Sequence, residues 1–381
     1  MQKNKALKKK LFNNFKILTS YVNIFTIFLV LLLSFVLCFI FQENIEKGLN
    51  KCYDYSKLNL SGLNVYFLNV GQGDCSFIEF PDGKTMLVDS GTQQSSAKTI
   101  DFIVNKILKN KPLIIDYLVL THSDTDHCGG MLNIVNAFQV NNIIRPRIYD
   151  TYNNSLDDLH RDDISLTNYY SEDNAYYHSL IESFYNEPNC NVYFLSVNKF
   201  NNELKIKSNN SSKYYDITFY SPQSYYYGNN DEGLNNMSAV FTINYNDCKI
   251  LFTGDMSSKV ENEILNDLPK IDVLKVAHHG SKYSCSEQFI NTIKPNYSII
   301  SVGKNSYGHP STNVLNNLNS VNSKIYRTDK DGTIVLNVEN NKINAYNLGI
   351  NSYYIQILHL YLGVVLIILI TQIFIVVNNL K

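Results

Sequence analysis

Four side chains able to bind a metal stand within six residues: His122, Asp124, Asp126 and His127, in the run DYLVLTHSDTDHCGG from Asp116 to Gly130. Imidazole nitrogen and carboxylate oxygen are donors that divalent Zn, Mn or Fe accepts. The apolar, strand-like run Tyr117 to Leu120 leads into them. Alternate positions of an extended segment point the same way, so His122, Asp124 and Asp126 are expected on one side, with His127 turning back toward the same volume. Gly129-Gly130 then lets the chain bend and pack close to a following helix. A polar loop with two solvated histidines is the bland alternative.

Other pieces of the chain repeat the pattern of a strand ending in a ligand. Gly254-Asp255 follows the apolar run Lys249 to Phe252, and a carboxylate there can bridge two metals. His278-His279-Gly280-Ser281 follows Val273 to Val276. Adjacent residues of an extended segment face opposite ways, so one histidine binds metal while the other faces substrate or packs. His309, in SYGHP, is a further candidate at a turn, with a surface histidine as the alternative. Near the start, GQGDCSFIEFPDGKTMLVDSG holds Asp74 and Asp89. Asp89 either supports ligand histidines from behind through hydrogen bonds or is a plain turn aspartate.

The elements that must position these groups are short. Asn64 to Val70, Cys75 to Phe80 and Thr85 to Val88 are β-rich runs separated by Gly and Pro-Asp-Gly turns. Ile100, Ile103, Val104, Ile107 and Leu108 recur at helical spacing between Ser95 and Lys109. Strand and helix then alternate through the ligand loops to closing strands around Thr333 to Val338. This predicts an α/β body with ligands at the C-terminal ends of strands, where such sheets place sites. Tyr149 to Asn236, crowded with Asn, Tyr, Ser and Asp and weakly periodic, is expected in part as surface loops or an insertion.

The order of these pieces resembles the metallo-β-lactamase superfamily, and within it the hydrolase domain of ComEC-type DNA-uptake proteins. The matching segments are VYFLNVGQGDCSFIEFPDGKTMLVDSG, LVLTHSDTDHCGG, LNNMSAVFTINYNDCKILFTGD, KVAHHGSKYS, SVGKNSYGHPS and YRTDKDGTIVL. The resemblance implies a four-layer αββα sandwich over residues 60–348 that holds one or two divalent ions, Zn or Mn. One ion would take His122, Asp124 and Asp255; the other would take Asp126, His127, Asp255 and His278. The superfamily signature H-x-H-x-D-H has Asp124 in place of its second histidine, and an extra carboxylate suits Mn as well as Zn. The usual third histidine of the first site has no match; Asn236 and Ser238 stand in that neighbourhood.

The implied chemistry is metal-assisted hydrolysis of a phosphodiester, DNA foremost. Asp126, His279 and His309 are the expected catalytic residues, the two histidines donating a proton or holding a phosphate oxygen. Asp74 and Asp89 would back the ligands. Lys282, Lys304 and Ser281 are candidate substrate contacts, the lysines with solvated side chains as the alternative. A small-molecule or cell-wall phosphodiester, and a DNA- or partner-binding module without turnover, are the competing readings. A β-lactam or lactone substrate rests on fold alone.

Two uncharged runs, residues 17–41 and 354–377, are long enough to span a bilayer. Six lysines and no acid precede the first, in a basic tail over residues 1–16. The positive-inside rule then predicts a membrane protein with both termini cytoplasmic and the hydrolase domain extracytoplasmic. The many-helix channel and oligonucleotide-binding domain of full ComEC proteins are not evident, so the chain is not expected to be the DNA channel itself; a separate channel or uptake protein is a candidate partner. Between the runs, Glu43 to Asn351 carries all 34 acids and 26 of the 33 bases, a formal −8. That argues against a generally basic nucleic-acid-binding face. No C-x-x-C pair occurs among the seven cysteines, so a thiolate zinc knuckle is unsupported.

Overall fold

In the computed structural model, the strands are β1 (Leu63–Phe67), β2 (Ser76–Glu79), β3 (Thr85–Val88), β4 (Ile114–Ile115), β5 (Tyr117–Val119), β6 (Gln139–Val140), β7 (Asn142–Pro146), β8 (Asn191–Leu195), β9 (Tyr215–Ser221), β10 (Val240–Tyr245), β11 (Cys248–Phe252), β12 (Val273–Lys275), β13 (Tyr297–Ile300), β14 (Lys324–Arg327), β15 (Ile334–Glu339) and β16 (Lys342–Asn347). The helices are α1 (Ser96–Phe102, continued by a π-helical turn Ile103–Leu108), α2 (Thr125–Cys128), α3 (Met131–Ala137), α4 (Glu172–Asn186), α5 (Asp231–Asn236), α6 (Ser258–Ile264), α7 (Glu287–Ile293), α8 (Thr312–Ser320) and α9 (Thr328–Asp331). The structure describes residues 60–146, 172–195, 206, 208, 214–224, 227 and 230–348 of the body. In the two apolar runs it describes only 25, 29, 32–34, 363, 365–367, 370 and 371.

Two sheets carry the body. The first has the order β16-β15-β1-β2-β3-β5-β7-β8, the second β14-β13-β12-β11-β10-β9. Within them β3-β5-β7-β8 and β11-β12-β13-β14 pair in parallel. Central parallel strands are covered on both faces and therefore read as unbroken apolar runs: β3, β5 and β12 are buried at every residue. The edge strand β9 alternates instead, with every second residue buried.

Three apolar layers define the stacking. Between the sheets lie Val65, Phe67, Ile78, Phe241 and Phe252, with Phe67 of the first sheet stacked on Phe252 of the second at 5.9 Å. Behind the first sheet, Leu118 and Ile143 meet Ile103, Ile107, Ile134 and Leu180 of the helices. Behind the second, Leu251 and Leu274 meet Val260, Phe289, Ile290 and Val314. Helix, sheet, sheet, helix is the αββα order that the resemblance implied.

The described residues within 149–236 include regular elements beside the expected loops. Within them α4 buries Tyr177, Leu180, Ile181 and Phe184 at i, i+3, i+4 and i+7, and β8 and β9 complete one edge of each sheet. Polar Asn, Ser and Tyr between those anchors mask the period. The expected localisation is corrected. Among the described residues no helix is long and apolar enough to cross a membrane, and a crossing needs about 20 consecutive apolar helical residues. The rest of the runs 17–41 and 354–377, and the basic tail, lie outside the described residues.

Candidate metal centre

The candidate ligands gather at the C-terminal ends of strands of both sheets. His122 lies just beyond β5, and Asp124 precedes α2 in extended conformation. Asp126 and His127 lie inside α2, so a helical turn, not strand alternation, brings these two round. Asp255 follows β11 and the histidine pair follows β12. Both His278 (φ 48°, ψ 47°) and His279 (φ 52°, ψ 20°) are left-handed, so the pair is a tight turn rather than the extended segment expected. Such backbone costs of order 1–3 kcal/mol per residue and persists where its surroundings over-determine it.

Asp255 is the hub. His127 Nε2 lies 3.2 Å from its Oδ1. His122 Nε2, His278 Nε2 and His279 Nε2 lie 4.0, 3.7 and 3.6 Å from its Oδ2. Asp124 Oδ2 is 3.7 Å from His122 Nε2, and Asp126 Oδ2 is 3.1 Å from His279 Nε2. The backbone N–H of Asp255 donates to Ser238 Oγ at 2.9 Å, and Ser257 N donates to Asn236 Oδ1 at 3.0 Å. Asn236 and Ser238 thus hold the loop that carries the hub. Gly254 is required there: its φ is +48°, and a Cβ would lie 2.7 Å from Ser238 Oγ.

Behind the candidate ligands the His127 and His279 rings are each turned by a named partner. Asp89 Oδ2 meets His127 Nδ1 at 2.8 Å and also accepts from Thr121 Oγ1 at 2.7 Å, while its Oδ1 accepts from Thr121 N at 2.8 Å. His279 Nδ1 meets the Ser301 carbonyl at 2.8 Å and Asp74 Oδ1 at 3.4 Å. Asp74 in turn forms a buried ion pair with Lys275. Its N–H donates to the Asp126 carbonyl at 3.1 Å, an approach made close by Gly73, where a Cβ would lie 2.4 Å from that oxygen. Tyr176 Oη donates to the Gly129 carbonyl at 2.6 Å and so ties α4 to the end of α2.

Charge inside this cluster is strongly coupled. Burial favours neutral Asp126, but its close contact with His279 and the charges of His127 and His279 hold it at about 2. Burial likewise opposes a charge on His279, yet Asp255, then Asp126 and Asp74, raise it to about 10. His127 is raised well above its ordinary range by Asp255 and Asp89 against burial, and the histidines depress Asp255 in return. His278 is lowered by burial despite Asp255, and His309 falls to about 4 through burial and the neighbouring His278 and His279. Without a cation, the carboxylates draw protons onto the inner imidazoles.

Divalent cations suit this donor set. His122 Nε2, His127 Nε2, His279 Nε2 and Asp255 Oδ1 are buried without a hydrogen-bond partner among the described residues, a cost that a cation would remove. Ligand atoms of His122, His127 and Asp255 lie within 4.8 Å of one another, as do those of Asp74, His127 and His279. Lys275 already neutralises Asp74, which favours Asp74 as support for His279 over a ligand role.

The remaining sequence candidates are peripheral. His309 packs edge-on to His278 at 5.3 Å between centroids. Ser281 is buried, and its Oγ accepts from Tyr283 N at 3.4 Å, so it shapes the turn. Lys282 and Lys304 are exposed, Lys282 lying 5.0 Å over the Tyr283 ring. Sequence reasoning missed Lys275 and Tyr176. A lysine inside the apolar run VLKVA was the available signal for the first; the second had none.

Residues 68–188 and 232–304, just over half of the chain, match the metallo-β-lactamase superfamily. The chain belongs to that superfamily. Among its curated relatives are ComE operon protein 3 of Bacillus subtilis, 27% identical over 72% of this chain and 33% of the relative, and Recombination protein 2 of Haemophilus influenzae, 24% identical over 74% and 30%. The chain spans about a third of the length of the curated relatives it matches. Among solved structures, Zn(2+)-bound PqqB from Methylobacterium extorquens aligns with a TM-score of 0.44 and 9% identity over 72% of this chain and 100% of that one.

Proposed function

We propose that this chain is a metal-dependent phosphodiesterase that hydrolyses DNA. The carrying observation is the one-sided accessibility of the cluster. The His122, His127 and His279 side chains are 0–2% exposed, whereas Asp124, Asp126 and His278 are 34, 29 and 27% exposed. Structural metal sites close on all sides; catalytic ones keep an open position. The names of the curated relatives, which include Competence protein ComA of Neisseria gonorrhoeae, agree with DNA as substrate.

His122, Asp124 and Asp255 would hold one cation, and Asp126, His127, Asp255 and His279 the other. His279 replaces His278 in the second set because its Nε2 is buried and faces both Asp126 and Asp255. Bound there, divalent cations supply a lowered pKa for water and neutralise charge on the phosphate. Asp89 and the Ser301 carbonyl keep the Nδ1 protons of His127 and His279 in place, leaving each Nε2 to face inward. His278 and His309 lie at the exposed rim. His309 is uncharged at neutral pH, so its N–H offers a hydrogen bond to a phosphate oxygen rather than a mobile proton.

A smaller phosphodiester is the second reading, favoured by the −8 charge of the body. The deciding experiment incubates the full chain, loaded with Mn or Zn, with single- and double-stranded DNA, beside an Asp126→Ala/Asp255→Ala double variant. Metal-dependent cleavage lost in the variant is expected. No cleavage by a protein that still binds metal would overturn the DNA reading and favour the smaller substrate.

A further inference from the structure

A row of aromatic rings leads from the metal centre to solvent. The His278 and His309 rings meet edge-on at 5.3 Å, and Tyr307 continues from His309 at 5.7 Å with an interplanar angle of 31°. Tyr307 is 74% exposed, the most exposed of the large hydrophobic side chains among the described residues. Scattered exposed aromatics are ordinary. This one sits on a loop built to hold it. Asn305 Nδ2 donates to the carbonyls of Gly303 and His309, each at 2.9 Å, and its Oδ1 accepts from the N–H groups of Tyr307 and His309 at 3.1 and 3.0 Å. A ring presented on a pre-ordered loop loses little freedom when a flat ligand covers it.

Charge on the same rim is complementary to phosphate. The loops HHGSKYS (278–284) and SVGKNSYGHPS (301–311) carry exposed Lys282 and Lys304 and no acidic residue, although the body as a whole is −8. The two loops are joined by the N–H of Ser311 donating to the Gly280 carbonyl at 2.8 Å.

We propose that Tyr307 is the stacking platform for a nucleobase of a single-stranded nucleic acid whose adjoining phosphodiester enters the metal centre past His309 and His278. Aromatic rings bordered by cations are how single strands are held without sequence preference, since every base has a flat face to stack. A duplex keeps its bases stacked on each other and leaves Tyr307 uncovered. The assignment rests on the phosphodiesterase reading and names the strand form that it takes.

The test is fluorescence anisotropy on the full, Mn-loaded chain with two phosphorothioate-linked oligonucleotides of equal length, which resist hydrolysis: one of thymidines, one abasic. Hydrolysis of bis-p-nitrophenyl phosphate by the wild type is followed in parallel. Wild type is expected to bind the thymidine strand about tenfold more tightly than the abasic one. Tyr307→Ala should erase that difference and Tyr307→Trp should retain it. Equal affinity of wild type for both strands, or a preference that survives Tyr307→Ala, would overturn the assignment. So would Tyr307-dependent binding of a cell-wall glycan in place of the thymidine strand. A base preference that stands while the aryl phosphodiester is untouched would sink the phosphodiesterase reading alone.

Discussion

Asp89 Oδ2 and His127 Nδ1 stand 2.8 Å apart with both side chains sealed from solvent, and the opposite edge of the same ring faces Asp255 at 3.2 Å. One carboxylate therefore sets the protonation edge of an imidazole whose other nitrogen points into the candidate metal centre.

Asp89→Asn tests that relationship. The amide can keep the bond from Thr121 N, but its NH2 turned toward His127 demands the opposite tautomer, with the proton on Nε2. Cation affinity is expected to fall about 10–100-fold. Calorimetric titration with Mn or Zn measures it, and an unchanged affinity would reduce Asp89 to a turn residue.

The pH dependence has a definite sign. The pKa of His279 is raised to about 10, and such a raised group contributes stability that is fully present below about 6.5 and is lost as pH rises toward about 10. With chelator present, the thermal midpoint should decline across that window. Cation affinity should rise over the same window, because binding expels protons from His127 and His279. Proton release read from calorimetry in buffers of different ionisation enthalpy checks this, and release near zero would count against these histidines as ligands.

Lys275→Met leaves Asp74 as an unpaired buried carboxylate beside His279. Breaking a buried pair on one side costs about 3–5 kcal/mol, and denaturant unfolding should show a loss of that order. Adding Asp74→Asn should recover part of it. Strict additivity of the two changes would show that the pair is not coupled.

Gly254→Ala places a methyl group against Ser238 Oγ in a left-handed backbone. The strain is of order 1–3 kcal/mol, and its relief should displace the bond between Asp255 N and Ser238 Oγ. Metal binding is expected to weaken more than unfolding stability. A variant with full metal occupancy would show that this loop tolerates the shift.

How much was legible in the sequence varied by element. β3 and α1 with its continuation follow from an apolar run and from helical spacing, because their burial pattern is local. α4 was hidden: its buried stripe of Tyr177, Leu180, Ile181 and Phe184 is diluted by polar neighbours, and only packing behind the first sheet reveals it. The backbone of the His278-His279 pair was not legible either. Local spacing predicted an extended pair facing opposite ways, whereas two consecutive left-handed residues turn His279 inward. Lys275 was visible as an oddity in an apolar strand, but its partner Asp74 is some two hundred residues away along the chain.

The sequence by itself determined which chemistry was on offer: clustered nitrogen and oxygen donors at strand ends, few basic residues in the body, and a segment order shared with one superfamily. Those properties are set by residue type and short-range spacing. Tertiary structure alone decided which donors meet. Asp255 becomes the hub, Asp89 the partner of His127, and Tyr307 the outer end of a ring row only when two sheets bring separate strand ends into one volume. Contacts between distant segments depend on sheet pairing and core packing, which no local pattern encodes.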